Sequence, residues 1–303
     1  MSPSVTDSSP HPQRLSVIVT GGASGIGLAI TRHFAAQGHM VAVLDVNSKT
    51  GPDVVAEVAK EYSKATLSFK WCDVSSWEGQ YAVFDQVYQE HGHRIDVVIA
   101  NAGISDPVVG ALDCTPTEFP RKPQLRMQEI NLNGVIYSVG LAVHYMLKNE
   151  IGSRLPSSRG SIVCTSSTAA IYPFPASPLY STSKAGILGL VRSMAVRLEE
   201  PRIQINALAP GVLGKFTTTS WTNVITNKCA ETNITPDKEL FKAMIITPMS
   251  TMIRAVSQFL ADPSMTGQVA ELNEETITLR PHADYADAGA EHNNNMFWKL
   301  GHA

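Results

Sequence analysis

Apolar residues in this chain gather in short uninterrupted runs set between segments of helical spacing. Residues 15–20 (LSVIVT) form a run without strict alternation, the pattern of a strand buried on both faces. Residues 40–45, 66–71, 95–100, 160–166 and 203–208 predict further strands, and 268–272 a last one. Between them, 28–37 (stopped by Gly38), 54–62, 77–90, 125–148, 179–198 and 252–260 have helical periodicity. Strands alternating with helices imply right-handed βαβ units. The predicted fold class is α/β: a single doubly wound Rossmann-type parallel sheet with helices on both faces.

Three stretches break the rhythm. Residues 1–14 are rich in Ser and Pro without an apolar run, and read as a disordered leader rather than a signal peptide or anchor. The folded domain is expected over 15–272, with a long, irregular, Thr-rich substrate flap at about 212–247. Residues 273–303 form a C-terminal tail without a strong pattern, yet it ends in Met296-Phe297-Trp298-Lys299-Leu300. Such a cluster either packs on its own subunit's surface or reaches a pocket beside the flap, its own or a partner's, where Phe297 and Trp298 would exclude water.

Composition narrows the function classes. With 303 residues, 44% hydrophobic and 17% charged, the chain can build a sizeable core. A formal charge of −3 offers no basic field for nucleic acid. No stretch has the roughly 20 apolar residues of a membrane span. Cys72, Cys114, Cys164 and Cys229 show no CxxC pairing and read as reduced thiols of a cytoplasmic protein. No histidine lies at HExxH or zinc-ligand spacing, so no metal site is expected, and Gly-x-Ser-x-Gly is absent around 164–167.

The chemistry-bearing residues lie at strand ends. Between the first strand and first helix stands Thr20-Gly21-Gly22-Ala23-Ser24-Gly25-Ile26-Gly27. Glycines there let the backbone turn tightly and approach a pyrophosphate, which a helix N-terminus stabilises. Asp45 closes the second strand eighteen positions after Gly27. A carboxylate there accepts from a ribose 2′-OH and repels a 2′-phosphate, which favours NAD over NADP. Tyr180 and Lys184 stand four residues apart on one helical face, and Ser167 lies thirteen residues before Tyr180, just past a strand. A phenol near an ammonium and a cationic nicotinamide can work as a base, with Ser167 holding the substrate oxygen.

The Gly-x-x-x-Gly-x-Gly spacing, with Ser167, Tyr180 and Lys184 following in order, resembles the short-chain dehydrogenase/reductase family over about 15–272. The resemblance implies that Asp73 and Val74 contact adenine, that Asn101 lines the cofactor floor, and that Lys184 also holds the nicotinamide ribose. Asn101-Ala102-Gly103 by itself is a strand-to-loop turn. Asn131, in Ile130-Asn131-Leu132-Asn133-Gly134, matches the family's fourth catalytic position, implying a water held in a proton relay from Lys184. The family places a Thr soon after Pro210-Gly211; here Gly214 and Lys215 intervene before Thr217, leaving the backbone of Val212 to meet the nicotinamide amide. Ser166 matches no catalytic position and reads as structural.

Arg121-Lys122-Pro123, the run 131–145 and Thr266-Gly267-Gln268 look like 15-hydroxyprostaglandin dehydrogenase-type members. That likeness implies an NAD-dependent enzyme acting on a bulky, largely apolar secondary alcohol or its ketone. A biosynthetic reductase or isomerase on the same fold, or a cofactor-binding scaffold without turnover, remain alternatives. The helices at 125–148 and 179–198 are apolar on more than one face, which with the resemblance predicts a homodimer or homotetramer.

Overall fold

Uninterrupted apolar runs become strands with no exposed face. The computed structural model describes residues 14–105, 119, 122–213 and 244–300. Strand β1 (Ser16–Thr20), β2 (Met40–Asp45), β4 (Val97–Ala100), β5 (Gly160–Thr165) and β6 (Ile203–Pro210) are buried almost throughout. With β3 (Thr66–Trp71) and β7 (Val269–Asn273) they make a parallel sheet in the order β3-β2-β1-β4-β5-β6-β7, to which β8 (Thr276–Leu279) adds an antiparallel edge. Helices α1 (Gly25–Ala36) and α7 (Met249–Ala261) bury Ile30, Phe34, Met252 and Phe259 on one face. On the other, α3 (Trp77–Glu90), α5 (Gly134–Met146) and α6 (Pro178–Arg197) bury Phe84, Val139, Tyr145, Ile187 and Val191. The expected doubly wound α/β architecture is present.

Register places the chemistry. Thr20 pairs with Leu44, Asp45 with Trp71, Ala100 with Cys164, and Thr165 with Leu208, so the strands end together. The strand order reverses between β1 and β4, and the crevice at such a switch point is where open α/β sheets bind ligands.

Several boundaries differ from the periodicity. Helix α1 begins at Gly25, three residues before the predicted start, because Gly25 and Gly27 mask the helical pattern of its first turn. Helix α2 (Gly51–Glu61) starts early because Pro52 is favourable in a first turn. The helix predicted over 125–148 is three pieces: a turn α4 (Arg126–Gln128), a π turn at Glu129–Asn133, then α5. Arg14, expected in the leader, is anchored through Nε to the Gly38 carbonyl and through Nη2 to Thr66 Oγ1 (both 2.8 Å).

The tail differs most: besides β8 it carries α8 (Ala288–Leu300). Between Ala288 and Lys299 only Asn294 is half-buried and the rest are exposed. Phe297 and Trp298 border a cavity of about 1200 Å³ against the end of α6 and the amino ends of β6 and β7. That is the opposite end of the sheet from Asp45 and Ser167, so the predicted reach of these aromatics to the site is corrected within one subunit. The leader's first thirteen residues, Cys114, Cys229, and Gly214 to Thr219 with most of the expected flap lie outside the described residues. Cys72 and Cys164 are free and buried. Among the described residues no helix is long and apolar enough to cross a membrane, and no group of three His, Cys, Asp or Glu could hold a metal.

Candidate active site

The loop after β1 is built around glycines that nothing else can replace. Gly21 has φ +62°, and a Cβ there would lie 2.9 Å from the Ala102 Cα. A Cβ on Gly27 would meet the Gly21 carbonyl oxygen at 2.1 Å and Asn101 Nδ2 at 2.8 Å. Ser24, the N-cap of α1, makes no side-chain capping bond, and the first turn holds no acidic residue. The amides of Gly25, Ile26 and Gly27 therefore begin a helix whose positive end has no protein side-chain acceptor, which suits an anion.

Asp45 stands beside this loop and is buried. Its Oδ2 accepts from the Ala23 amide (3.1 Å) and its Oδ1 from the Asn47 amide (3.0 Å). These bonds fix the carboxylate while each oxygen keeps a further lone pair. At the end of β3, Asp73 Oδ1 accepts from the Ser75 amide and hydroxyl (3.0 and 2.7 Å), and the Val74 carbonyl accepts from Gln80 Nε2 (2.7 Å). Asp73 and Val74 thus follow β3, the strand beside β2, at the same end of the sheet as Asp45.

Asn101 has a scaffold's bonding. Its Nδ2 donates to the Thr20 carbonyl (3.1 Å), its amide to Thr20 Oγ1 (2.9 Å), and its Oδ1 accepts from Thr165 Oγ1 (3.1 Å). Its side chain ties β1, β4 and β5 together. Val212 is partly engaged too, since its carbonyl accepts from the Thr247 amide (2.7 Å).

Ser167, Tyr180, Lys184 and Asn131 converge where β5 ends. Helix α6 carries Tyr180 and Lys184 one turn apart, with Lys184 Nζ 5.7 Å from the phenol ring centroid. Lys184 is buried, and its Nζ donates to the Thr165 carbonyl (2.8 Å). Burial pushes its ammonium down to about 8, with the nearby Cys164 thiol acting in the other direction. Tyr180 is half-buried; burial raises its phenol, and a hydrogen bond with Ser167 opposes that shift. Of the two groups expected to favour the phenolate, Lys184 has its ammonium on the Thr165 carbonyl, so desolvation is the larger influence on the phenol.

Ser167 is the N-cap of the 3-10 turn Thr168–Ala170, and its Oγ accepts from the Ala169 amide (3.2 Å). Ser166 instead donates to the Lys184 carbonyl (2.8 Å), a structural bond. Asn131 is fully buried inside the π turn. Its Oδ1 accepts from the Ile104 amide and its Nδ2 donates to the Ile104 carbonyl (both 2.8 Å), with a further bond to Ser183 Oγ (3.2 Å). A Cβ on Gly103 would lie 3.2 Å from Asn131 Oδ1 and 3.3 Å from Lys184 Nζ, so both side chains close on that glycine.

Sequence reasoning missed Thr165, Ser183 and Phe174. Thr165 is the last residue of β5, serving Lys184 by its carbonyl and Asn101 by its hydroxyl. Ser183 is buried between Asn131 and the Tyr180 carbonyl (2.8 Å). Phe174 packs edge-on against Tyr180, centroids 6.4 Å apart. For Thr165 and Ser183 the signal was adjacency to Ser166 and Lys184; for Phe174 there was none.

The short chain dehydrogenase family model matches residues 16–230. The chain belongs to that family. This short-chain dehydrogenase is 28% identical over 260 residues to the Short-chain dehydrogenase/reductase prx6 of Penicillium rubens, covering 84% of this chain and 78% of that one. It is 28% identical over 285 residues to the 5′-hydroxyaverantin dehydrogenase of Dothistroma septosporum, covering 90% and 89%. Among solved structures, a 3-oxoacyl-[acyl-carrier protein] reductase from Brucella melitensis in complex with NAD superposes with a TM-score of 0.65 at 26% identity, over 86% of this chain and 95% of that one. An NAD⁺-bound xylitol dehydrogenase shares the fold, with a TM-score of 0.67 at 23% identity, over 85% and 97%. The family places the chain among the oxidoreductases.

Proposed function

We propose that this chain is an NAD(H)-dependent oxidoreductase that interconverts a bulky, largely apolar secondary alcohol and its ketone, with Tyr180 as acid/base. The observation that carries the reading is the convergence of Ser167, Tyr180 and Lys184 at the end of β5. They share the sheet's carboxyl edge with a glycine cradle that any Cβ would fill.

The residues present fit a dinucleotide. The uncapped start of α1 at Gly25, Ile26 and Gly27 suits its pyrophosphate, Asp45 its ribose hydroxyls, and Asp73 and Val74 its adenine side. Asn101 and Val212 would frame the nicotinamide end, and Lys184 its ribose. When bound, the nicotinamide accepts or delivers the hydride. Tyr180 donates its phenolic proton to a carbonyl oxygen, or takes the proton of a carbinol, with Ser167 hydrogen-bonded to the same oxygen. Asn131 holds the Ile104 backbone beside Lys184, where a water relay to solvent would begin.

The substrate class rests on the resemblance of 121–123 and 131–145 to 15-hydroxyprostaglandin dehydrogenase-type members. The free thiols Cys72 and Cys164 agree with action in the cytoplasm. We also propose a homodimer or homotetramer using α5 and its lead-in, where Leu125, Ile136 and Leu147 are exposed. On α6, by contrast, Leu190 and Met194 pack against the core. Light scattering at micromolar concentration should give a mass above the monomer's; the monomer mass alone would refute this.

A panel of secondary alcohols and ketones with NAD(H), followed at the reduced-nicotinamide absorbance, tests the reading. Turnover is expected on bulky apolar members. Cofactor binding without turnover on any member would favour the scaffold reading instead.

A further inference from the structure

The stretch between Ser167 and Tyr180 is held at its middle by one side chain. Residues 172–176 read Tyr-Pro-Phe-Pro-Ala, so Tyr172 alone among them can form a side-chain hydrogen bond. Its hydroxyl lies 3.1 Å from both carboxylate oxygens of Glu271 on β7. Glu271 is 3% exposed, and its other partners are Asn273 Nδ2 (2.6 Å) and the Arg280 guanidinium. Arg280 also donates to the Tyr172 hydroxyl, and its guanidinium lies 5.9 Å from that ring's centroid. Arg192 on α6 in turn donates to the Pro281 carbonyl (3.0 Å). A phenol, a buried carboxylate and a guanidinium thus join three segments: the loop leading to Tyr180, the end of β7, and the chain just past β8.

We propose that Tyr172, Glu271 and Arg280 form a latch that positions the substrate side of the active site. They are positioning residues, since none touches the reacting atoms. Two residues beyond Tyr172, Phe174 packs edge-on against Tyr180. On the other side, Thr168 to Ala170 form the turn capped by Ser167, with Ala170 and Ile171 resting on the core. Fixing Tyr172 therefore fixes the wall that Phe174 presents beside the phenol. Pro173, Pro175 and Ala176 are exposed, and besides the Tyr172 side chain the stretch is tied by two backbone bonds, the Tyr172 amide to the Thr168 carbonyl (2.8 Å) and the Ser177 amide to the Phe174 carbonyl (3.2 Å). Glu271 itself is buried, so a lost partner leaves one of its lone pairs unsatisfied away from water, while Tyr172 and Arg280 reach it from the exposed side. The β8 edge matters in this arrangement because it delivers Arg280 to Glu271.

This inference rests on the proposed alcohol/ketone chemistry, so its test has an arm independent of turnover. Tyr172→Phe removes only the hydroxyl and leaves the ring under Arg280. Hydrogen–deuterium exchange should then rise at the hydrogen-bonded amides of Tyr172 and Ser177 and stay unchanged in α1 and β1. With the best ketone, KM should rise about tenfold, the worth of one charge-assisted hydrogen bond, while kcat stays within about twofold and NADH affinity is unchanged. Arg280→Met should act in the same direction, and the double variant should be no worse than the poorer single, since both break one unit. Unchanged loop exchange in Tyr172→Phe overturns the latch whatever the kinetics. Raised exchange with unchanged KM overturns its role in substrate positioning. If the wild-type chain turns over no alcohol or ketone, the functional reading fails while the exchange arm still decides whether the latch exists.

Discussion

Asp45 shows how one side chain can serve both fold and function. Its oxygens take the Ala23 and Asn47 amides, which pins the glycine loop to β2 and holds the carboxylate beside that loop. A ribose 2′-OH can donate to such a group, whereas a 2′-phosphate meets a buried like charge. NADH should bind at least about tenfold tighter than NADPH, and Asp45→Ala should narrow that gap. Equal wild-type affinities in a fluorescence titration would remove the basis for the cofactor assignment. Asp45 was legible because it closes a strand at a set distance from Gly27. The bonding of Asn101 was not, since an Asn-Ala-Gly turn looks the same whether its amide faces a ligand or, as here, Thr20 and Thr165.

Elements were read well where burial left a strong pattern and poorly where it did not. Strands β1, β2, β5 and β6 are largely apolar and almost wholly covered, so their runs stood out. Strand β8 has four residues, most of them exposed, and α8 exposes every described side chain except Asn294, so neither leaves a periodic trace. The π turn at Glu129–Asn133 was invisible for another reason: it shifts hydrogen-bond register without changing which residues are apolar. For the tail, the division of labour falls at Arg280. Truncation after Arg280 keeps the latch and removes α8, so KM and kcat should stay within about twofold of wild type. Any cost should appear as a small fall in Tm, because exposed helices of this length contribute little alone. A severalfold rise in KM on that truncation would restore α8 to the active site.

For the whole molecule, topology decides where chemistry can occur. Strand order places β1 beside β4, and aligned strand ends bring Gly21, Asp45, Asn101 and Ser167 to one edge, while α6 returns Tyr180 and Lys184 to it. That convergence was legible because βαβ handedness leaves few ways to arrange the strands. What periodicity could not supply was electrostatics: burial raises the Tyr180 phenol and lowers Lys184 to about 8. A protonated phenol serves ketone reduction. Alcohol oxidation needs the phenolate, so its rate should climb with pH toward the raised tyrosine ionisation while reduction declines. The most direct test is turnover of the best alcohol/ketone pair across pH in wild type and Tyr180→Phe, with NADH affinity and Tm measured beside it. The variant should fold, bind NADH as before, lose the pH-dependent limb, and fall in turnover by about 10² or more. A variant that keeps most of its turnover and its pH profile would contradict Tyr180 as the acid/base.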